Sequence, residues 1–174
     1  CWAIRYNVRF DPEHAFFGFS KLNFLGFLCS KDGKSLSESR TSALRNLTCS
    51  KSKESVLHFL GCFVFVSRWI PRYADLAAPL YSLLKKGIRT EQAWGPEQDT
   101  AISALKTCID HAPILRVVDF KTDLFFRSDG SILAVAAVLF QMVDSKELPA
   151  AYGSKILSKS QRKWPIPQIE FYAI

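Results

Sequence analysis

Leu124–Gln141 reads LFFRSDGSILAVAAVLFQ, and the organisation of the chain turns on it. Two runs of β-branched, aromatic and small apolar residues flank Asp-Gly, with Ser on either side. That is the pattern of two strands joined by a tight turn. It predicts a first strand over Leu124–Ser128, Asp129 at its end, and a second strand from about Leu133 to Met142. A carboxylate at the end of a buried strand costs free energy unless something pairs with it. A metal ion is one such partner; the backbone of the turn, which Asp commonly caps, is the other. Both readings of Asp129 stand on this stretch alone.

Moving outward towards the C-terminus, Asp144–Glu147 predicts a second turn and Leu148–Ser154 a third strand. Ser158–Pro167 is polar and irregular, and a helix is expected from near Pro167 through Glu170. If that helix crosses the sheet, Glu170 reaches the strand end that carries Asp129. Two converging carboxylates suit Mg²⁺, which prefers oxygen ligands and often takes one or two carboxylates plus phosphate. Paired Mg²⁺ ions can activate water in phosphodiester hydrolysis.

Towards the N-terminus, Gly95-Pro96 marks a helix start, and Ala101, Ile102, Leu105, Cys108 and Ile109 form one apolar face. Val56, Phe59, Leu60 and Phe63 recur at i, i+3, i+4 and i+7, an amphipathic helix that Pro71 is expected to end. Ser37 is placed to cap a helix over Glu38–Leu47. Asp75–Lys86 predicts another helix, stopped by Gly87. The first 35 residues read as short strands, Phe16–Phe19 and Asn23–Ser30, with a bulge or close approach at Gly26 and a turn at Lys31–Lys34.

The net charge is +7, and the whole excess lies in residues 31–90. There Arg68, Arg72, Lys85 and Lys86 lie near Trp69 and Tyr73. Cationic and aromatic side chains together suit a nucleic-acid backbone and its bases; a solvated basic surface with Trp69 in the core is the plainer reading. At 174 residues, 48% hydrophobic and 22% charged, the chain can bury a core, which excludes a disordered polypeptide. The densest apolar stretch, Val56–Ile70, is broken by His58, Ser67 and Arg68, short of the ~20 residues that span a bilayer. No basic-then-apolar signal segment opens the chain. Five cysteines at irregular spacings favour a reducing compartment over a disulfide framework. His58 and Cys62 have a zinc-like i, i+4 spacing but no Cys-x-x-Cys beside them, so the cysteines read as small hydrophobes.

Several motifs occur together in a particular order. These are Phe24-Leu25-Gly26-Phe27; Phe59-Leu60-Gly61; Trp69-Ile70-Pro71-Arg72-Tyr73; Ala77-Ala78-Pro79-Leu80; and Leu83-Leu84-Lys85-Lys86-Gly87. Ala112-Pro113-Ile114-Leu115, Ser128-Asp129-Gly130-Ser131, Ala151–Ser158 and Glu170-Phe171-Tyr172-Ala173-Ile174 follow. The set resembles the pol polyprotein of gypsy-like long-terminal-repeat retrotransposons, where the C-terminal part of the reverse transcriptase runs into its ribonuclease H domain. The resemblance implies an α+β fold in four parts: a palm remnant with a primer-grip-like hairpin over 1–35, a basic helical thumb over 36–90, a connecting helix and linker over 91–118, and the N-terminal half of a ribonuclease H-like domain over 119–174. That half would be a three-stranded antiparallel sheet with one helix.

It further implies that Asp129 and Glu170 are catalytic, Mg²⁺-binding carboxylates, the first two of four. Phe24, Leu25, Gly26, Arg68, Trp69, Arg72, Tyr73, Lys85 and Lys86 would contact a template–primer or RNA–DNA hybrid. The remainder of the polyprotein would be the protein partner, with no membrane involved and an intracellular setting, cytoplasmic or nuclear. In the family the polymerase Tyr-x-Asp-Asp box precedes the equivalent of residue 1 and the other two nuclease carboxylates follow the equivalent of Ile174. The chain by itself is therefore expected to be inactive. It departs from the family at Ala136, usually glycine, and near Ile132, usually polar.

Overall fold

The computed structural model describes residues 5–9, 11, 13, 15 and 17–174. Its framework is α+β, with two three-stranded antiparallel sheets separated by a helical block. The first sheet comprises β1 (Lys21–Phe24), β2 (Phe27–Ser30) and β3 (Gly33–Leu36), in that order. Leu25 and Gly26 both have positive φ, 51° and 80°, the requirement of a two-residue hairpin turn whose twist matches the strands. The single strand expected over Asn23–Ser30 is thus two strands, and Gly26 is a turn residue rather than a bulge. Phe17–Phe19 form no strand, while Phe16 lies outside the described residues.

Gly33 has φ 140°, and a side chain there would collide with the Leu115 carbonyl. That close approach allows Lys34 and Leu115 to exchange backbone hydrogen bonds of 2.7 and 2.8 Å, which ties the linker to the first sheet.

In the helical block, α1 (Glu38–Asn46) starts at Ser37, whose side chain accepts from the Arg40 amide, and α2 (Lys53–Val66) starts at Ser52, which accepts from Ser55. The stripe Val56, Phe59, Leu60 and Phe63 is buried as its spacing requires. The helix stops well before Pro71. Ser67 Oγ donates to the Val64 carbonyl at 2.8 Å, and a 3₁₀ turn over Ser67–Trp69 follows; such local side-chain bonds compete with the helical ladder. The next helix, α3 (Tyr73–Leu83), begins earlier than expected because Arg72 adopts a left-handed conformation that swings the chain into it. A short α4 (Thr90–Ala93) and α5 (Pro96–Asp110) complete the block. Phe59, Phe63, Leu80, Leu83, Leu105 and Leu115 belong to one continuous core.

The second sheet has β4 (Phe125–Gly130), β5 (Ala134–Val143) and β6 (Lys146–Ile156), paired in sequence order. The strand β4 runs through Asp129-Gly130, which pair with Ala136 and Val135. The turn instead occupies Ser131–Leu133, where Ser131 Oγ accepts from the amides of Leu133 and Ala134 at 3.2 and 3.0 Å. The serine closes the hairpin and leaves the Asp-Gly pair in the ladder. Asp144 and Ser145, both at positive φ, make the next turn. The last helix, α6 (Ile166–Tyr172), sets Ile169 against Val135 and Leu157 in a small second core. Among the described residues, no helix is long and apolar enough to cross a membrane.

Candidate functional site

Successive strand residues face opposite sides of a sheet, and this decides what surrounds Asp129. A side chain at Gly130 would meet Ile169 Cγ2 at 2.8 Å and the Glu170 amide nitrogen at 3.4 Å, so α6 covers the face to which Gly130 points. Lys155, two strands away on that face, donates to Tyr172 Oη of α6 at 2.8 Å. Asp129 points to the opposite face, where α3 docks. Arg72 Nη1 donates to Asp129 Oδ2 at 3.0 Å, and Arg72 Nε to Asp75 Oδ2 at 3.0 Å. Ser131 Oγ donates to Asp75 Oδ1 at 2.9 Å, and the Ala74 amide to Ser154 Oγ at 2.9 Å.

The crossing helix therefore arrives where the sequence placed it, with the Glu170 backbone beside the end of β4. The Asp129 carboxylate is engaged by a guanidinium, while Glu170 is exposed on α6. Among the described residues, no three His, Cys, Asp or Glu side chains are grouped to hold a metal. This donor set does not fit Mg²⁺: the Asp129 oxygen a cation would take already accepts from Arg72. On the Asp129 face a cleft of about 420 Å³ is lined by Arg72, Arg127, Asp129, Ala136 and Tyr152. Ala136, directly opposite Asp129 in the ladder, puts its methyl group into that cleft. Arg127 is held by both oxygens of Glu147 at 2.6 and 3.2 Å; the pairing lowers the Glu147 carboxyl pKa and raises that of Arg127.

The residues expected to contact nucleic acid divide sharply. Phe24 and Leu25 project at the hairpin tip, 58% and 71% exposed. Their turn is mounted on Arg40, which donates to the Leu25 carbonyl at 3.1 Å and lies over the Phe65 and Phe27 rings at 4.5 and 5.5 Å. A side chain at Gly26 would strike that guanidinium. Sequence reasoning missed Arg40; the only local sign of it was a glycine needing room. Arg68, Lys85 and Lys86 are exposed.

Trp69 and Tyr73 are not surface groups, and their expected role as stacking platforms is corrected. Trp69 is 5% exposed, stacks on Phe27 at 4.9 Å and donates to the Lys34 carbonyl at 3.3 Å. Tyr73 is buried beside Tyr81, and desolvation pushes its phenol pKa up. Arg72, also expected to face nucleic acid, is directed to the two aspartates. His58 and Cys62 approach to 3.9 Å, and among the described residues no third ligand is grouped with them.

Comparison with known proteins agrees with this architecture. Residues 94–174 match the family described as "RNase H-like domain found in reverse transcriptase". Over 169 residues, 97% of this chain, it is 32% identical to the Tf2-3 and Tf2-4 transposon polyproteins of Schizosaccharomyces pombe. The chain is a retrotransposon pol segment with a ribonuclease H-like region. It spans 12% of the length of those relatives. The pol segment also shares its fold with a foamy viral protease–reverse transcriptase, solved in complex with double-stranded DNA (TM-score 0.75, 21% identity, 88% of this chain and 27% of that one). A second structure of that protein, with an RNA/DNA hybrid, aligns with TM-score 0.74 at 21% identity over 88% of this chain and 21% of that one. The family match begins at Trp94 and so takes in α5, although α5 packs into the helical core rather than on the second sheet.

Proposed function

We propose that this pol segment grips the nucleic-acid duplex for a reverse transcriptase–ribonuclease H polyprotein, its ligand being a template–primer or RNA–DNA hybrid. The observation that carries the reading is the exposed Phe24–Leu25 tip. Two large apolar side chains stand in solvent on a turn that Arg40 and the Phe65–Phe27–Trp69 stack hold rigid. Exposed apolar groups on a braced turn suit packing against sugars or bases, while Arg68, Lys85 and Lys86 supply phosphate contacts. Complexes of the foamy viral neighbours with duplexes support the reading. Working with the rest of its polyprotein, the segment would act inside the cell, in cytoplasm or nucleus.

Divalent metals are general to the reverse transcriptase–ribonuclease H family, but a share in a two-metal nuclease site would require Asp129 to leave Arg72.

The test is the anisotropy of a labelled RNA–DNA hybrid titrated with the 174-residue chain at rising salt. Affinity is expected to fall linearly on logarithmic axes, with a slope of about −0.9 per phosphate contact on B-form duplex. Replacing Lys85 and Lys86 by alanine should make the slope shallower by about two contacts. Phe24→Ala with Leu25→Ala should weaken binding with the slope unchanged, and Asp129→Asn should leave binding intact. Affinity that ignores salt would overturn the reading.

A further inference from the structure

We propose that the basic turn between β6 and α6 is a second phosphate-contact surface, and that with Lys85 and Lys86 it forms one band along which a single duplex is held by both blocks. The inference rests on the duplex binding proposed above and adds to it a site on the second block.

The charge pattern singles out this turn. Residues 91–174 carry one more acidic than basic side chain, a balance that hides a local segregation. Nine acids and five bases lie in 91–147, whereas Leu148–Ile169 holds Lys155, Lys159, Arg162 and Lys163 and no acid at all. Among the described residues none of these four pairs with a carboxylate. By contrast Arg127, on β4, is neutralised by Glu147.

The turn is built to hold those charges in place. Ser158 and Gln161 bond reciprocally: the Ser158 amide donates to Gln161 Oε1 at 2.8 Å and the Gln161 amide to Ser158 Oγ at 3.3 Å. Arg162 Nε donates to the Leu157 carbonyl at 3.1 Å. The Leu157 amide donates to the Leu133 carbonyl at 2.8 Å, which fastens the turn to the β4–β5 hairpin. Gln161–Lys163 form a 3₁₀ turn, and Trp164 packs edge-on against Tyr172 of α6 with ring centroids 5.6 Å apart. Tyr172 Oη in turn accepts from Lys155. Lys155, Lys159 and Lys163 stand exposed on this frame, and a frame ordered before binding loses less entropy when a ligand arrives.

The turn also continues the basic end of the helical block. Lys85, just beyond the end of α3, and Arg162 line one cavity of about 270 Å³ at the junction, together with Tyr81, Ser82, Leu133 and Ile156. Asp75 and Glu97 line it too, but Asp75 is already bonded to Arg72 and Ser131. Lys86 beside Lys85, and Lys159 and Lys163 on either side of Arg162, are exposed. Cationic groups therefore meet across the junction and extend away from it on both blocks. A duplex carries one negative charge per about 1.7 Å of its axis, so its repeating charge can follow such a band, where a compact anion would occupy one end of it. Lysines act there as point charges on phosphates, which fix the position of the duplex without reading its sequence.

The experiment follows the anisotropy of a labelled RNA–DNA hybrid with the 174-residue chain between about 50 and about 200 mM salt. The parent is compared with Lys159→Ala/Lys163→Ala, Lys85→Ala/Lys86→Ala, the quadruple variant, and Lys146→Ala, a lysine at the opposite end of β6. Lys159→Ala/Lys163→Ala should make the logarithmic slope shallower by about two contacts, so that the affinity lost across that range is about ten-fold smaller. The quadruple variant should be shallower by about four contacts, while Lys146→Ala and Lys159→Arg/Lys163→Arg should match the parent. The Leu157 and Trp164 amide resonances should stay in place; Lys159→Ala alone, expected at half the effect, serves if the double variant disturbs them. A parent slope near zero would overturn duplex binding itself. A steep slope that responds to Lys85 and Lys86 but not to Lys159 and Lys163 would leave that reading standing and overturn this one. So would an unchanged hybrid slope in Lys159→Ala/Lys163→Ala accompanied by lost binding to vesicles of phosphatidylcholine and phosphatidylserine, which would assign the turn to a lipid surface. A quadruple variant no shallower than either pair would show that the two ends do not hold one duplex together.

Discussion

The two blocks of this molecule solve the same problem with very different resources. The helical block closes on itself: the stripe of α2 and faces from α1, α3 and α5 bury a continuous core that reaches from Leu44 to Leu115. The second sheet has three buried side chains, Val135, Leu157 and Ile169, in its own cluster, and leaves Phe126, Phe171 and Ile174 well exposed. What the sheet lacks in core it borrows across the junction, through Tyr152 against the helical core, Arg116 bonded to Pro149, and the Arg72 network. Stability is thus concentrated in one block, and the other depends on being docked. An exposed edge at β4 carrying Phe125 and Phe126 is also a template for pairing with another chain.

The largest effects should separate the blocks. Phe63→Ala removes a fully buried ring from the helical core and should cost about 3–5 kcal/mol, with hydrogen-exchange protection lost throughout both blocks. Ile169→Ala empties the small core and should cost about 2–5 kcal/mol, but protection should fall in β4–β6 alone. Equal losses from both substitutions would show that the blocks unfold as one unit.

Glycine substitutions sharpen the comparison at an intermediate size. Gly33→Ala forces a side chain at φ 140° into the Leu115 carbonyl and should cost about 1–3 kcal/mol from backbone strain alone, released by separation of the linker from β3. Gly130→Ala must push back Ile169 Cγ2, an overpacking of about 1–3 kcal/mol that should register in the tilt of α6. Denaturant midpoints at unchanged m-value check both.

How much of this was legible depended on whether the controlling contact was local. The α2 stripe, the serine cap at Ser37 and the Gly95-Pro96 start each act within a single helix, and the helices formed where those residues stood. Leu25 gave no warning of its left-handed turn, since a leucine rarely takes that conformation and Phe-Leu-Gly-Phe reads as strand. The Asp129-Gly130 pair gave the opposite error. It is a strong turn signal that Ser131 overrode by closing the hairpin two residues later. Glu170 could be placed near the end of β4 from topology alone, yet the face to which Asp129 points could not. That followed from where α3 docks, and the bond from Arg72 spans 57 positions of sequence. Trp69 resembled a stacking platform because the Phe27 ring that buries it lies far away in sequence, on the first sheet.

The smallest expected effect lies at the edge of the weaker block. Arg127 on β4 and Glu147 on β6 form a two-pronged ion pair in full contact with solvent, and the pairing holds the Glu147 carboxyl below its ordinary pKa. A carboxyl whose pKa is depressed in the folded state adds stability above its unfolded pKa, and that contribution fades as pH falls through the folded value. Acidification below the usual glutamate range should therefore loosen the edge of the second sheet while the helical core stays protected. High salt at neutral pH should act in the same direction, because solvent-exposed charges are screened. Glu147→Gln should remove the acid-dependent step without moving the thermal midpoint of the helical block. Amide exchange at Arg127 and Val138, followed between neutral and acidic pH, reads the difference. An acid step of the same size in Glu147→Gln would assign the loosening to another carboxylate in that block.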